Sequence, residues 1–289
     1  MTADGSGMRV DAHRSDGTAW TLVSRPPDPR LGPYVTDYQG YRERSRHPLR
    51  RLQAPFAGVP MIVTFGPSID IINGGRPAER TTHGSFLAGL HDVHVITEYR
   101  GEQMGLQVNF TLLGAYRFLN ITMSDIANRC LALGDLLGYC EAERLTCLLH
   151  ERRGWAQRFS LLDRFLLERL CRSRPVSPDV AWALGILHAC NGACSVGALS
   201  RDLGCSRKTL IQRFHCQVGL SPKAVANIMR FSHAVARIRR TDEESWAEVA
   251  LACGYYDQAH FNRDFRRFSG RSPGTFRDAL LPAQAGVAG

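Results

Sequence analysis

Apolar and polar positions change rhythm twice along this chain. From about residue 30 to Phe110 the apolar runs are short and punctuated by turn residues. Met61-Ile62-Val63-Thr64-Phe65 is followed by Gly66-Pro67, and Ile69-Asp70-Ile71-Ile72 leads into Asn73-Gly74-Gly75, a strong hairpin signal. His94 to Tyr99 and Leu106 to Phe110 read as two more strands, separated by the turn-like Arg100-Gly101-Glu102. Several short strands with turns between them predict a barrel or sandwich. Ahead of them, residues 1–28 are rich in Gly, Asp and Ser and end at Arg25-Pro26-Pro27-Asp28, which predicts a flexible arm.

After Gly114 the spacing turns helical. Ala115 to Leu119, Ser124 to Leu137, Glu141 to Arg152 and Ser160 to Arg172 are expected helices. Leu161, Phe165, Leu166 and Leu170 form a stripe, read first as core-facing and otherwise as a dimer seam. Two prolines in Arg172 to Pro178 mark a linker. The predicted domains are 29–173, β-rich then helical, and 174–282, a second, all-α unit.

That second unit carries the most specific pattern. Val196, Leu199 and Leu203 share one face of a short helix, Gly204 can take the positive φ of a tight turn, and Ser206 is placed to cap the next helix. In that helix Leu210 and Phe214 point inward. The pattern recurs with Val249, Ala250 and Cys253, then Gly254-Tyr255, then Asp257 as cap, and Phe261, Phe265 and Phe268 inward. Between the two, Pro222 opens a helix running to about Arg240. Twenty residues at ~1.5 Å each span roughly 30 Å, near the ~34 Å between successive major grooves on one face of DNA. The fold class expected is α+β: a barrel- or sandwich-like β domain with following helices, then two helix-turn-helix units joined by a long helix.

Charge agrees without deciding. The 289 residues carry a net +9, of which +5 falls after Arg174, and basicity suits a polyanion as well as plain solubility. Nine cysteines with no CxxC argue for reduced thiols, mostly buried as small hydrophobes, with redox sensing the minor reading. No apolar run approaches the ~18 residues of a membrane span, and no secretory signal opens the chain, so a cytoplasmic protein with no membrane partner is expected. His91-Asp92-Val93-His94, with His83 and His47, raises a metal site. On a strand, however, His91 and His94 would face opposite sides, so no metal ligand set and no cofactor is expected. Arg42, Arg44, Arg46, Arg50 and Arg51 read as a solvated basic face ahead of an anion site.

Cys253 to Phe261, then Phe265-Arg266-Arg267, Gly270-Arg271-Ser272-Pro273 and Phe276-Arg277, resemble the signature of the AraC/XylS transcriptional regulators. Phe214 with Gly219-Leu220-Ser221-Pro222 matches the more variable first half of the same domain. Gly105 to Leu119, Ser124-Asp125-Ile126 and Leu133 to Gly138 more loosely resemble the N-terminal domain of an actinobacterial-type subset.

The resemblance implies base-reading positions Arg207, Lys208, Thr209, Ile211 and Gln212 in the first unit, and Gln258, Ala259, His260, Asn262 and Arg263 in the second. Arg and Lys suit guanine, Gln and Asn suit adenine, and Ile211 and Ala259 suit a thymine methyl. Arg213, Arg230, Arg266 and Arg267 are the expected phosphate contacts. The function implied is a sequence-specific regulator acting on promoter DNA as a homodimer, controlled by a small-molecule effector or by dimerisation, and meeting RNA polymerase if it activates. No GxSxG, Walker, dinucleotide or HExxH motif is present, so no enzyme is expected. The alternatives are an enzymatic or metal-binding barrel fused to DNA-binding helices, and a ligand-independent dimeric adaptor.

Overall fold

The computed structural model describes residues 2–4, 7–15, 17–240, 244–280 and 287–288. Among these described residues eleven strands form one antiparallel sheet: β1 (Thr2–Asp4), β2 (Met8–Ser15), β3 (Thr18–Arg25), β4 (Val35–Gln53), β5 (Val59–Thr64), β6 (Ile69–Asn73), β7 (Arg76–His83), β8 (Phe86–Ala88), β9 (Val95–Phe110), β10 (Cys130–Ala132) and β11 (Val287–Ala288). Their order is β1-β2-β3-β4-β9-β5-β8-β10, with β6 beside β9 and β7 beside β6. Helices α1 (Leu112–Leu119), α2 (Leu133–Leu137), α3 (Tyr139–Glu151) and α4 (Trp155–Cys171) complete the N-terminal half. The C-terminal half is helical, as the α+β reading expected.

The long pair β4 and β9 organises the sheet. The segments on either side of Gly101 are one strand, not two: Gly101 takes φ +78° as a bend, opposite a register shift between Ser45 and Leu49 on β4. One half of β9 pairs with β5 and the other half with β6, so the sheet curls. The Asn73-Gly74-Gly75 hairpin joins β6 to β7 as expected.

The arm expected over residues 1–28 is largely strand. Seven residue pairs join β2 to β3, and β3 then pairs along β4 from Thr18↔Ser45 to Arg25↔Tyr38. Trp20 and Val23 are buried, and Arg25 forms an ion pair with Asp163 on α4. Polar composition suggested freedom, but the edge of β4 supplies backbone partners that composition does not reveal. The helix expected from Ser124 to Leu137 is also broken. It is a 3-10 turn at Met123–Asp125, then β10 pairing with β8, then α2.

One face of the sheet packs on α1 and α4. Phe110 stacks on Phe118 at 4.7 Å and Tyr38 on Phe159 at 5.7 Å. Asp163 accepts from the Tyr38 hydroxyl and the Asp28 amide, both at 3.0 Å, which ties α4 to the sheet. Leu161, Leu166 and Leu170 are buried in this core and Phe165 is half-buried, so the α4 stripe faces mainly inward. The opposite, concave face carries a separate cluster of Ile62, Ile69, Ile71, Phe86 and Ala88.

Candidate nucleic-acid interface

The C-terminal half starts with α5 (Pro178–Ala189) and holds the two expected units. The first is α6 (Val196–Asp202) and α7 (Arg207–Gln217), the second α9 (Trp246–Ala252) and α10 (Gln258–Ser269), with α8 (Pro222–Ile238) between them and α11 (Pro273–Asp278) after. Each begins on a hydroxyl or carboxylate cap. Ser206 accepts from the Thr209 amide at 3.1 Å and Asp257 from the His260 amide at 2.6 Å, satisfying donors a helix start leaves free. Gly204 and Gly254 sit in the two turns at φ +61° and +75°, where a side chain would be strained. α8 has 17 residues, so it spans about 26 Å at ~1.5 Å per residue.

Packing decides which faces are left over. Leu210 and Phe214 of α7, and Phe261, Phe265 and Phe268 of α10, are fully buried. Phe265 lies 5.0 Å from Phe231 of α8, 5.4 Å from Phe261 and 5.2 Å from Phe276 of α11. With their inward faces consumed, the helices present their polar sides. Arg207, Lys208, Ile211 and Gln212 are exposed on α7, with Thr209 half-buried and its hydroxyl bonded to Ser206. On α10, Gln258, Ala259, Arg263, Arg266 and Arg267 are exposed, and Asn262 is half-buried. His260 stands edge-on to Tyr255 and 3.6 Å from Asp264.

Two of the expected phosphate contacts are engaged elsewhere. Arg213 is held by Asp179 of α5. Arg230 donates to Asn227 at 2.5 Å and to the Gly254 carbonyl at 3.4 Å, and lies over the Tyr255 ring. It braces α8 against the turn of the second unit. Sequence spacing placed both guanidiniums outward but could not see which carboxylate or carbonyl the tertiary fold brings to them. Tyr256, 91 % exposed just ahead of the Asp257 cap, was not singled out by sequence, although an aromatic outside the inward spacing of α10 was the available signal.

The histidines do not converge. His91 Nδ1 meets the Gly89 carbonyl at 2.6 Å, and His83 bonds to Thr81 at 2.9 Å. His94 is wedged between the two halves of the molecule: a Cβ on Gly74 would lie 2.3 Å from its ring, and one on Gly270 2.6 Å away. Among the described residues no three His, Cys, Asp or Glu side chains gather as a metal would need. The arginines of β4 also disperse. Arg42 and Arg50 pair with Glu102 and Glu98 on β9, while Arg51 turns inside to Glu43.

Burial holds the His91 and His94 imidazoles below their ordinary pKa, with the positive Arg271 adding to the effect at His94 and the Phe268 carbonyl opposing it. A histidine whose folded pKa is depressed stabilises fully above its unfolded value, ~6.5, and loses that contribution as pH falls below it. Thermal unfolding of the protein is therefore expected to shift to lower temperature between pH 7 and pH 5. His94→Gln should flatten part of that slope, and an unchanged slope would remove His94 as a contributor.

The curled sheet encloses a second feature, a cavity of about 310 Å³ lined by Trp20, Tyr41, Ile62, Ile71, Phe86 and Tyr99 among others. On its wall Arg51 donates to Glu43, and the Tyr99 hydroxyl donates to the same carboxylate. The interior is thus mainly apolar, with a self-neutralised charge pair and the Gln39, Gln103 and Gln107 amides on its lining.

Two helix-turn-helix units, each with a buried aromatic or aliphatic face and an exposed polar second helix, joined by one long helix, define a double helix-turn-helix domain. Residues 199–279 match the family model described as "Helix-turn-helix domain". The HTH-type transcriptional regulator MtrA of Neisseria gonorrhoeae is 40% identical over 72 residues, which are 25% of this chain and 24% of that protein. The HTH-type transcriptional activator RhaS of Escherichia fergusonii is 26% identical over 201 residues, 66% of this chain and 64% of that protein. These matches therefore span less than two thirds of either relative. Among solved structures, ToxT from Vibrio cholerae O395 covers 93% of this chain and 100% of its own, at 10% identity and a TM-score of 0.47. Over its C-terminal region this chain is thus similar to the helix-turn-helix domains of transcriptional regulators.

Among the described residues no helix is long and apolar enough to cross a membrane.

Proposed function

We propose that this protein is a cytoplasmic, sequence-specific transcriptional regulator whose two units grip double-stranded DNA in adjacent major grooves. The observation that carries this is the pair of exposed polar faces on α7 and α10, held by buried inward faces at either end of α8. Arg207, Lys208, Thr209, Ile211 and Gln212, with Gln258, Ala259, His260, Asn262 and Arg263, read bases. Arg266 and Arg267 are the phosphate contacts that remain once Arg213 and Arg230 are spent within the protein. The N-terminal domain, residues 29–173 with β2 and β3 added to it, receives a small-molecule effector or a second copy of the chain. The effector would be small and largely apolar, because the Arg51–Glu43 pair buried on the cavity wall is already satisfied internally. Dimerisation and contact with RNA polymerase complete this reading. The barrel-enzyme alternative is not carried forward, since the relatives are named as regulators.

Selection of genomic fragments with the full-length protein, followed by footprinting, tests it. Two protected segments one helical turn apart per subunit are expected, and the absence of selective binding with or without candidate effectors would reject the reading. Within the selected site, Arg263→Ala or Gln212→Ala should cost roughly 1–3 kcal/mol and relax one base position. Arg266→Ala should instead weaken all sequences alike and reduce the salt dependence. Identical, sequence-independent losses for both kinds of variant would mean the base readers are wrongly assigned.

A further inference from the structure

Between α5 and α6 the chain turns through Asn191 and Gly192, both at positive φ, 47° and 76°. The curl returns the backbone so that Cys190 and Cys194 face each other with 2.7 Å between their sulfur atoms. The Cys194 amide also donates to Cys190 Sγ at 3.3 Å. A disulfide bond is ~2.05 Å long, so less than an ångström of closure separates this pair from a covalent link. Both side chains are half-buried, within reach of a small reagent, and no other sulfur–sulfur contact occurs among the described residues. Four of the remaining cysteines, Cys140, Cys147, Cys171 and Cys216, are exposed and only Cys253 is buried, against the expectation that most would be core.

The two thiols are not equivalent. Burial pushes Cys190 up, but the hydrogen bonds its sulfur receives from Cys194 and from the amides of Cys194, Gly192 and Ala193 outweigh it and bring Cys190 below its ordinary value. Cys194 is pushed up to about 11, by burial and by sharing its proton with Cys190. A thiolate-prone sulfur beside a protonated one is the arrangement of an attacking and a resolving cysteine.

The loop also lies where the two units meet. A Cβ on Gly192 would sit 2.0 Å from the Ala226 carbonyl of α8, so the loop backbone lies directly on the linker helix. A Cβ on Gly254, in the turn of the second unit, would sit 3.1 Å from Ala193. Cys194 precedes Ser195, whose hydroxyl caps α6 by accepting from the Ala198 amide at 3.1 Å. One five-residue loop thus touches the start of the first unit, the linker helix and the turn of the second.

We propose that Cys190 and Cys194 form a reversible dithiol–disulfide site, oxidised by hydroperoxides, that sets the placement of the two DNA-gripping units. The Cys190 thiolate attacks one peroxide oxygen, forming an S–O bond as the O–O bond breaks, and the departing oxygen leaves as water or alcohol after taking a proton. The Cys194 sulfur then attacks Cys190 Sγ. The S–S bond forms, the S–O bond breaks, and the sulfenic oxygen departs as water carrying the Cys194 proton. The two thiols lose two electrons to the peroxide, and exchange with a small thiol reverses the change. Closure draws the loop inward against α8 and Gly254, where rigid backbone contacts pass the shift to both units. The coupling to DNA rests on the proposed DNA-binding function, whereas the thiol chemistry does not.

The test begins with reduced full-length protein, an equimolar dose of hydrogen peroxide, alkylation and peptide mass mapping. The expected product has lost two hydrogens, carries a Cys190–Cys194 link, and is restored by dithiothreitol. Cys194→Ser should stop at a sulfenic acid on Cys190, trapped by dimedone, and Cys190→Ser should give neither product at that dose. Should a single variant fail to fold, the wild-type mapping alone decides. Cys190 and Cys194 staying alkylatable while the exposed thiols oxidise would overturn the site. Anisotropy with a selected DNA fragment then reads the coupling. Affinity is expected to fall about tenfold on oxidation, a change of ~1.4 kcal/mol, to return with dithiothreitol, and to be insensitive to peroxide in the Cys190→Ser, Cys194→Ser double variant. A formed disulfide with unchanged affinity overturns the coupling. Absent binding in both states sinks the DNA-binding reading and the coupling with it, while the masses still judge the thiols.

Discussion

Phe265→Ala is expected to lower the stability of the C-terminal domain by about 3–5 kcal/mol and to abolish protection of the DNA segment gripped by α10. The ring is fully buried where α8, α10 and α11 meet, with the rings of Phe231, Phe261 and Phe276 all within 5.4 Å. Truncation loses the transfer energy of the ring, leaves a cavity that three other rigid rings are slow to fill, and removes edge-to-face contacts worth ~0.5–1.5 kcal/mol each beyond burial. Natural domains hold only ~5–15 kcal/mol in reserve, so the second unit should melt on the order of 10 °C earlier. The first unit keeps its own core residues Leu210 and Phe214 and should retain partial DNA contact near room temperature. Calorimetry and footprinting of the same preparation check both parts. A melting temperature within a degree or two of wild type would mean that the aromatic cluster does not hold this unit together.

In the N-terminal domain the largest effect is expected from Glu43→Ala. Glu43 and Arg51 are buried at 8% and 9% exposure, and the one carboxylate accepts from both the Arg51 guanidinium and the Tyr99 hydroxyl. Removing it strips a buried cation and a buried hydroxyl of their shared acceptor, at a cost of about 3–5 kcal/mol. The pair itself is close to energetically neutral against a well-packed apolar replacement. Glu43→Leu combined with Arg51→Met should therefore recover most of the loss, even though each change adds nothing polar. Chemical denaturation of the three proteins is the measurement. A single variant as stable as wild type would show that solvent enters the cavity and screens the charge. If instead the double variant stays as unstable as Glu43→Ala, geometry rather than charge pairing sets the cost. Because both groups line the cavity, the single variant should also weaken any effector bound there.

The C-terminal domain was legible because its signals are local. A glycine that takes positive φ, a cap two or three residues on, and aromatics at helical spacing all act within about ten residues, and the backbone realises them wherever the helix lies. Gly204 with Ser206, Gly254 with Asp257, and the buried Phe261, Phe265 and Phe268 all appear as the chain alone implied. The Asn73-Gly74-Gly75 hairpin belongs to the same class.

The N-terminal half was harder because its strands are completed by partners far along the chain. Residues 8–25 are polar enough to pass for an arm, and only the open edge of β4 makes them strand. Gly101 looks like a turn until β4 runs past it on both sides. The same distance in sequence hid which arginines were spent. Arg213 meets Asp179, and Arg230 meets the Gly254 carbonyl, across intervals that no periodicity spans.

The sequence by itself thus determined the two helix-turn-helix units, their caps and turns, and the helix joining them, because hydrogen bonds and apolar faces within a helix depend on near neighbours. Tertiary structure alone decided the curled sheet and its cavity and the wedging of His94 between the halves. Those features arise from packing between elements, where burial and steric fit select one arrangement from many that local preference allows.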